Sequence, residues 1–345
     1  MKNYYVSTFI SGLSDVIKKL LISNLSDVEI IELFDGMVIY KTQYYQDVTR
    51  LKFLNNSFLL LGQMKTNNNN EFNVDLNNLV KKLNIDYSAI KLHIEKSKNK
   101  NFKILSIDKN QPVSINFRLI ENLENSISKN LNVKLNKKNP DLEFCFLRRS
   151  EGVMVFMVKI TYNRLTEKDI NKGELRPELA YILASLAELN KNKIVIDPFC
   201  GHGSIPRQIV KNFKYNMCFA SDTDVALIER LKNEYKKNNK KLFIKVRDAL
   251  ALEGFENDFI DVIITDPPWN MFESKNNDFL FFYKAMLVEF NRILKNDGRM
   301  IILMGNVNVF EKALYETKFF DIKIQYNILV NGKKANIYML EKSSC

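Results

Sequence analysis

A chain of 345 residues with 46% hydrophobic and 26% charged side chains has room for two or three cored domains and the make-up of a soluble globular protein. No apolar run approaches the ~20 residues of a membrane helix, and the polar-interrupted start lacks a signal-peptide pattern, so a cytoplasmic protein is expected. Its four cysteines (Cys145, Cys200, Cys218, Cys345) form no C-x-x-C pair and its histidines are only His93 and His202, which argues against a metal site, a zinc deaminase or a disulfide framework.

Residues 1–62 read as a small mixed α/β unit. A strand is expected at 4–10 and a helix at 14–21 with Ser14 as its cap. Strands at 28–33 and 37–41 flank a Phe34-Asp35-Gly36 turn, and a second helix is expected at 47–54. The Asn-rich stretch near 65–71 reads as a linker or loop. Residues 72–165 form a second unit, with strands at 113–118, 143–146 and 154–160 and a helix at 121–130. Within it, residues 81–160 hold 16 Lys+Arg against 8 Asp+Glu, part of a net charge of +11. That excess suits a phosphate-binding surface, although a Lys- and Asn-rich coding bias accounts for it equally well. Arg148, Arg149, Lys137 and Lys138 are candidates for phosphate contact; a solvated face is an equal reading for each.

A boundary is expected near 163–173, and from 171 to 345 strand and helix alternate. Pro177 opens a helix, where its missing N–H costs nothing. Strands at 193–196, 217–220, 243–246, 259–265 and 299–304, with helices at 205–210, 225–235 and 279–294, predict a doubly wound α/β sheet. Residues 320–329 and 335–340, about Asn331-Gly332, read as a closing hairpin. The aromatic cluster at 279–283 reads as core packing.

Two strand ends carry the chemistry. In Asp197-Pro198-Phe199-Cys200-Gly201-His202-Gly203-Ser204 the glycines permit unusual backbone angles and close ligand approach, and Asp197 suits the ammonium of an amino-acid ligand. Neither phosphate-binding glycine spacing is present. Asp222, at the next strand end, suits a pair of ribose hydroxyls, whereas Asp224 reads as the cap of the 225–235 helix. Asp248 suits an adenine amino group or is a solvated turn acid. The sharpest signal is Asp266-Pro267-Pro268-Trp269. An exocyclic base amine is a poor nucleophile because its lone pair is delocalised into the ring. Hydrogen bonds to the Asp266 carboxylate and the Pro267 carbonyl draw that pair out and aim it. Trp269 suits stacking on the base, a contact worth ~1–3 kcal/mol. Together the two corners suggest methyl transfer from S-adenosylmethionine to a base amino group. Such an amine needs no strong base, so His202 is not assigned that role.

These residues resemble the Rossmann-like S-adenosylmethionine methyltransferases that modify base amino groups. Gly173-Glu-Leu-Arg-Pro-Glu-Leu-Ala180, the 197–204 loop and Asp266–Trp269 look like the RNA guanine-N2 branch. Residues 133–144 and 152–160 look like the core of a THUMP domain, and residues 1–62 suit the ferredoxin-like unit that precedes it in the family. The resemblance implies an S-adenosylmethionine cofactor held by Asp197, Pro198, Gly201, Gly203, Asp222 and Asp248. It implies catalysis by Asp266, Pro267 and Trp269, and an RNA partner gripped at the tRNA acceptor end. The guanine-modifying relatives often end this motif in Tyr. Asp-Pro-Pro-Trp is also common among adenine-modifying enzymes, so the alternatives are an adenine-N6 enzyme on DNA or ribosomal RNA and a non-catalytic RNA-binding protein with a relic fold.

Overall fold

The computed structural model describes residues 2–67, 69–94, 101–162, 169–235, 239–269, 276–330 and 332–343. Most of the expected boundary at 163–173, Asn331 of the hairpin turn and Cys345 lie outside them. The chain divides into one unit of residues 1–9 and 14–164 and another of 10–13 and 165–345. No helix among the described residues is long and apolar enough to cross a membrane.

The first unit runs β1 (Asn3–Thr8), α1 (Ser14–Asn24), β2 (Glu29–Phe34), β3 (Met37–Thr42), α2 (Tyr45–Val48), β4 (Asn56–Lys65), α3 (Phe72–Lys82) and α4 (Tyr87–Ile94). It continues through β5 (Asn101–Asp108), β6 (Gln111–Pro112), α5 (Phe117–Leu131), β7 (Lys134–Leu135), β8 (Leu142–Arg148) and β9 (Val153–Lys159). Its strands form one sheet in the order β2-β3-β1-β4-β9-β8-β5-β6, with β7 on β5. Antiparallel pairing of β4 with β9, from Phe58↔Lys159 to Lys65↔Val153, carries the sheet across residues 1–62 and 72–165. The strand expected at 113–118 is absent. Asn116 instead caps α5, its side chain accepting from the Arg118 N–H at 3.1 Å, because a short polar side chain there satisfies a helix amide that a strand would leave unpaired. Helix α3 grows out of the Asn-rich stretch because Phe72, Leu76 and Leu79 fall on one buried face.

Arg148 is 4% exposed, and its guanidinium is spent inside this unit. It donates to Asp75 at 2.9 Å, bidentately to Asp108 at 2.8 and 2.7 Å, and to the Asn70 carbonyl at 2.8 Å. The planar fork matches a carboxylate, so this arginine closes the Asn-rich loop and does not face phosphate. Arg149 pairs with Glu151 and the Asp35 carbonyl, while Lys137 and Lys138 are exposed.

The second unit runs α6 (Pro177–Leu186), β10 (Ile194–Asp197), α7 (Ser204–Asn212), β11 (Met217–Asp222), α8 (Val225–Tyr235) and β12 (Leu242–Val246). It is completed by β13 (Ile260–Thr265), α9 (Asn276–Ile293), β14 (Leu294–Met304), α10 (Val307–Thr317), β15 (Phe320–Val330) and β16 (Lys333–Lys342). Its sheet has the order β12-β11-β10-β13-β14-β16-β15. The first five strands are parallel and β16 is antiparallel to both neighbours, as expected for a doubly wound sheet with a closing hairpin. Val262, Ile263 and Ile264 of β13 are at most 2% exposed, the burial of a strand covered on both faces. Tyr283, Met286, Leu287, Phe290 and Ile293 put one face of α9 into the main core. Helix α10, unforeseen in the sequence, buries Phe310, Ala313 and Leu314 at i, i+3 and i+4. Strand order reverses between β10 and β13, so their carboxyl ends flank a topological switch point, where open α/β sheets bind ligands.

Truncating Arg148 leaves two carboxylates without their cation, a change that costs ~3–5 kcal/mol in a buried pair. Arg148→Met is expected to lower the unfolding free energy of the first unit by that order and its urea midpoint in proportion, measured by urea unfolding followed by circular dichroism. A midpoint within error of the wild type would show that the cluster contributes nothing.

Candidate active site

Asp197 is the last residue of β10 and is 1% exposed. Its Oδ1 accepts the Phe199 N–H at 3.2 Å and the Thr265 hydroxyl at 2.9 Å. Thr265 ends β13, so this bond ties the first loop to the second motif. Burial pushes the Asp197 carboxyl well above the usual carboxylate range, opposed by its hydrogen bonds and reinforced by the nearby Asp266 and Asp222 charges. Three of the expected acids therefore meet at the switch point.

The loop after β10 is shaped as its glycines require. Gly201 and Gly203 have φ of +46° and +83°. A Cβ at 203 would collide with Leu231, whereas one at 201 would meet nothing within 4 Å. Gly203 serves packing and Gly201 leaves open space at the loop crest. Pro198 is buried. The Gly201 N–H donates to Asp222 Oδ2 at 2.8 Å, and the Asp224 N–H donates to Asp222 Oδ1 at 3.0 Å. Both Asp222 oxygens thus brace backbone, and each retains a lone pair for a further donor. Asp224 Oδ1 caps α8, accepting from Ala226 and Leu227 at 2.9 and 3.1 Å, as the sequence predicted. Asp248 is exposed and accepts the Leu250 N–H at 2.9 Å, holding the turn beyond β12.

At the second corner Asp266 is partly buried. Burial pushes its carboxyl up to about 7, against the lowering effect of a hydrogen bond from Trp269. That bond runs from the indole Nε1–H to Oδ1 at 2.7 Å. Pro267 is buried and Pro268 exposed; the Pro268 carbonyl accepts the Tyr283 hydroxyl at 2.8 Å. The indole packs on the Gly305 backbone so closely that a Cβ at 305 would overlap the ring. The structure thus gives Trp269 a partner and a seat where the sequence suggested a ring for stacking. Sequence reasoning missed Thr265, Tyr283 and Gly305. The phenol tip at the end of an aromatic cluster, and a glycine directly after a strand, were the available signals.

A ligand fits this arrangement if it is cationic and slender at the loop crest. Asp197, Asp222 and Asp266 supply carboxyl oxygens that a cationic donor can engage, Gly201 leaves room, and His202 Nδ1 is buried without a hydrogen-bond partner among the described residues. An amino-acid sulfonium such as S-adenosylmethionine meets each of these conditions.

Comparison with known proteins agrees with the geometry. Residues 164–209 and 207–334 match the family model described as the RMKL-like methyltransferase domain. The chain belongs to that family through its second unit. It is similar to the U6 snRNA (guanine-N(2))-methyltransferase THUMPD2 of Bos taurus, 25% identical over 52% of this chain and 35% of the relative. It is also similar to the tRNA (guanine(6)-N(2))-methyltransferase THUMP3 of Mus musculus, 25% identical over 61% of this chain and 45% of that one. The chain thus spans less than half the length of these curated relatives. The crystal structure of TrmN from Thermus thermophilus shares the fold over 99% of this chain and 100% of its own, with a TM-score of 0.79 at 17% identity.

The raised Asp266 carboxyl carries a stability signature. Its folded pKa of about 7 lies above the ordinary value of 3.8, so its contribution is fully present below the ordinary value and is lost as pH rises through 7. Asp266→Asn removes this loss. Relative to the wild type, the variant is expected to gain stability from pH ~4 to ~7, by up to about 1.4 kcal/mol per unit, and to level off above. Thermal melts across that range check it; a constant difference would mean that Asp266 has an ordinary carboxyl.

Proposed function

We propose that the protein transfers a methyl group from S-adenosylmethionine to the N2 amino group of a guanine in RNA, with tRNA as the first candidate, in the cytoplasm. The observation that carries this reading is the Asp266–Pro267 corner at the switch point, set against the Gly201 loop through the Thr265–Asp197 hydrogen bond. The guanine-N2 names of the similar proteins support the base.

When bound, S-adenosylmethionine supplies an electrophilic methyl on a positive sulfur. Asp197 would hold its ammonium, Asp222 its ribose and Asp248 its adenine, with Pro198, Gly201 and Gly203 shaping the loop that receives it. Asp266 and the Pro267 carbonyl accept the amine hydrogens, concentrate the lone pair on nitrogen and fix its direction of attack. The ionised form of Asp266 is the better acceptor, so the rate rises with pH through neutrality. The product nitrogen sheds a proton to water without a dedicated base.

Asp266→Ala is expected to lower methyl transfer by ~100-fold or more with RNA affinity changed by less than ~3-fold. The check is tritiated methyl transfer to purified tRNA, U6 and ribosomal RNA, with nucleoside mass spectrometry of the product. N2-methylguanosine supports the reading, and N6-methyladenosine would move the enzyme to the adenine class. Native speed in the variant, or no S-adenosylmethionine binding in calorimetry, would end it.

The exposed Lys137 and Lys138, in the basic stretch 81–160, are the proposed phosphate contacts. Alanine at both positions is expected to weaken RNA binding uniformly across sequences and to flatten its salt dependence by ~1–2 contacts, read by filter binding at several salt concentrations. An unchanged slope would remove them from the interface.

A further inference from the structure

Trp269 is the only tryptophan in the chain, and its surroundings argue for a role other than stacking. The indole Nε1–H points at Asp266 Oδ1, 2.7 Å away. One ring face rests on Gly305, where no side chain fits, and the ring packs against the main core. The preceding carbonyl, that of Pro268, is anchored by the Tyr283 hydroxyl from α9. A carboxylate is acceptor-only, with two oxygens and a broad terminal torsion. Unpinned, it must be ordered each time it meets a donor.

We propose that Trp269 is a positioning residue. Its indole N–H, held on the Gly305 seat, occupies one oxygen of Asp266, fixes the plane of the carboxylate and leaves the second oxygen for the target amine. This rests on the reading that Asp266 holds that amine. The bond is charge-assisted and favours ionised Asp266, working against burial; the Asp266 charge in turn opposes ionisation of the neighbouring Asp197. Tyr283 is the other titratable group beside Asp266, and its hydroxyl is pushed up by burial and then by the Asp266 charge. Pre-orientation of this kind acts on the chemical step and not on RNA affinity.

Trp269→Phe keeps an aromatic face and removes the N–H. Its kcat is expected to fall ~10-fold or more, with KM for RNA within ~3-fold and the acidic limb of the kcat profile moved to higher pH. Gly305→Ala displaces the ring from its seat and should give the same loss of kcat. The double variant should lose little more than either alone, since both act through one contact. Native kcat and an unmoved limb in Trp269→Phe, with Trp269→Ala raising KM alone, would overturn the inference in favour of stacking.

Fluorescence of the free protein provides a test that needs neither RNA nor turnover. Tryptophan emission should titrate with one midpoint near the Asp266 value of about 7, and this transition should vanish in Asp266→Asn. Emission that stays flat through neutral pH would overturn the inference even if Trp269→Phe failed to fold. Native methylation by Asp266→Ala would instead sink the functional reading and leave the fluorescence result standing.

Discussion

The hydrogen bond from Thr265 to Asp197 holds the second unit's chemistry in one place. Parallel strands β10 and β13 are neighbours, but adjacency alone sets only the height at which their loops begin. A buried hydroxyl–carboxyl contact adds direction. It fixes the first loop against the start of the Pro-Pro turn, so Asp197 and Asp266 share a common frame. Two short, buried apolar strands support this contact, because the surrounding burial keeps water from competing for it.

Placing Asp197 beside Asp222 and Asp266 at one sheet edge costs folding free energy, since burial and the charges of these two neighbours oppose its ionisation. The same unfavourable charge becomes selectivity once a cation enters. Under the proposed function, a sulfonium would relieve that opposition and the demethylated thioether would not.

Much of this was legible because the second unit obeys simple rules. Apolar runs that stop at an acid announced β10 and β13, and the short carboxylate of Asp224 announced α8. The first unit was harder. Asparagine favours turns and caps, which masked α3 although Phe72, Leu76 and Leu79 keep helical spacing. Arg148 reads equally as a phosphate contact or a solvated side chain because its charge is visible in a sequence and its two carboxylate partners, some seventy and forty positions upstream, are not. Trp269 stands out in the sequence as the chain's one tryptophan. Its seat depends on Gly305, the residue that follows a different strand, and no local pattern relates the two.

The pairing of β4 with β9 has a consequence for how the protein is made. As the chain leaves the ribosome, the opening strands can associate early, but β4 stays a bare edge until residues 153–159 are synthesised. During that interval its unpaired amides are open to any extended segment nearby. A slowdown or premature stop within the stretch between them would release a half-built sheet with a sticky margin, which makes this span the natural point of surveillance by chaperones.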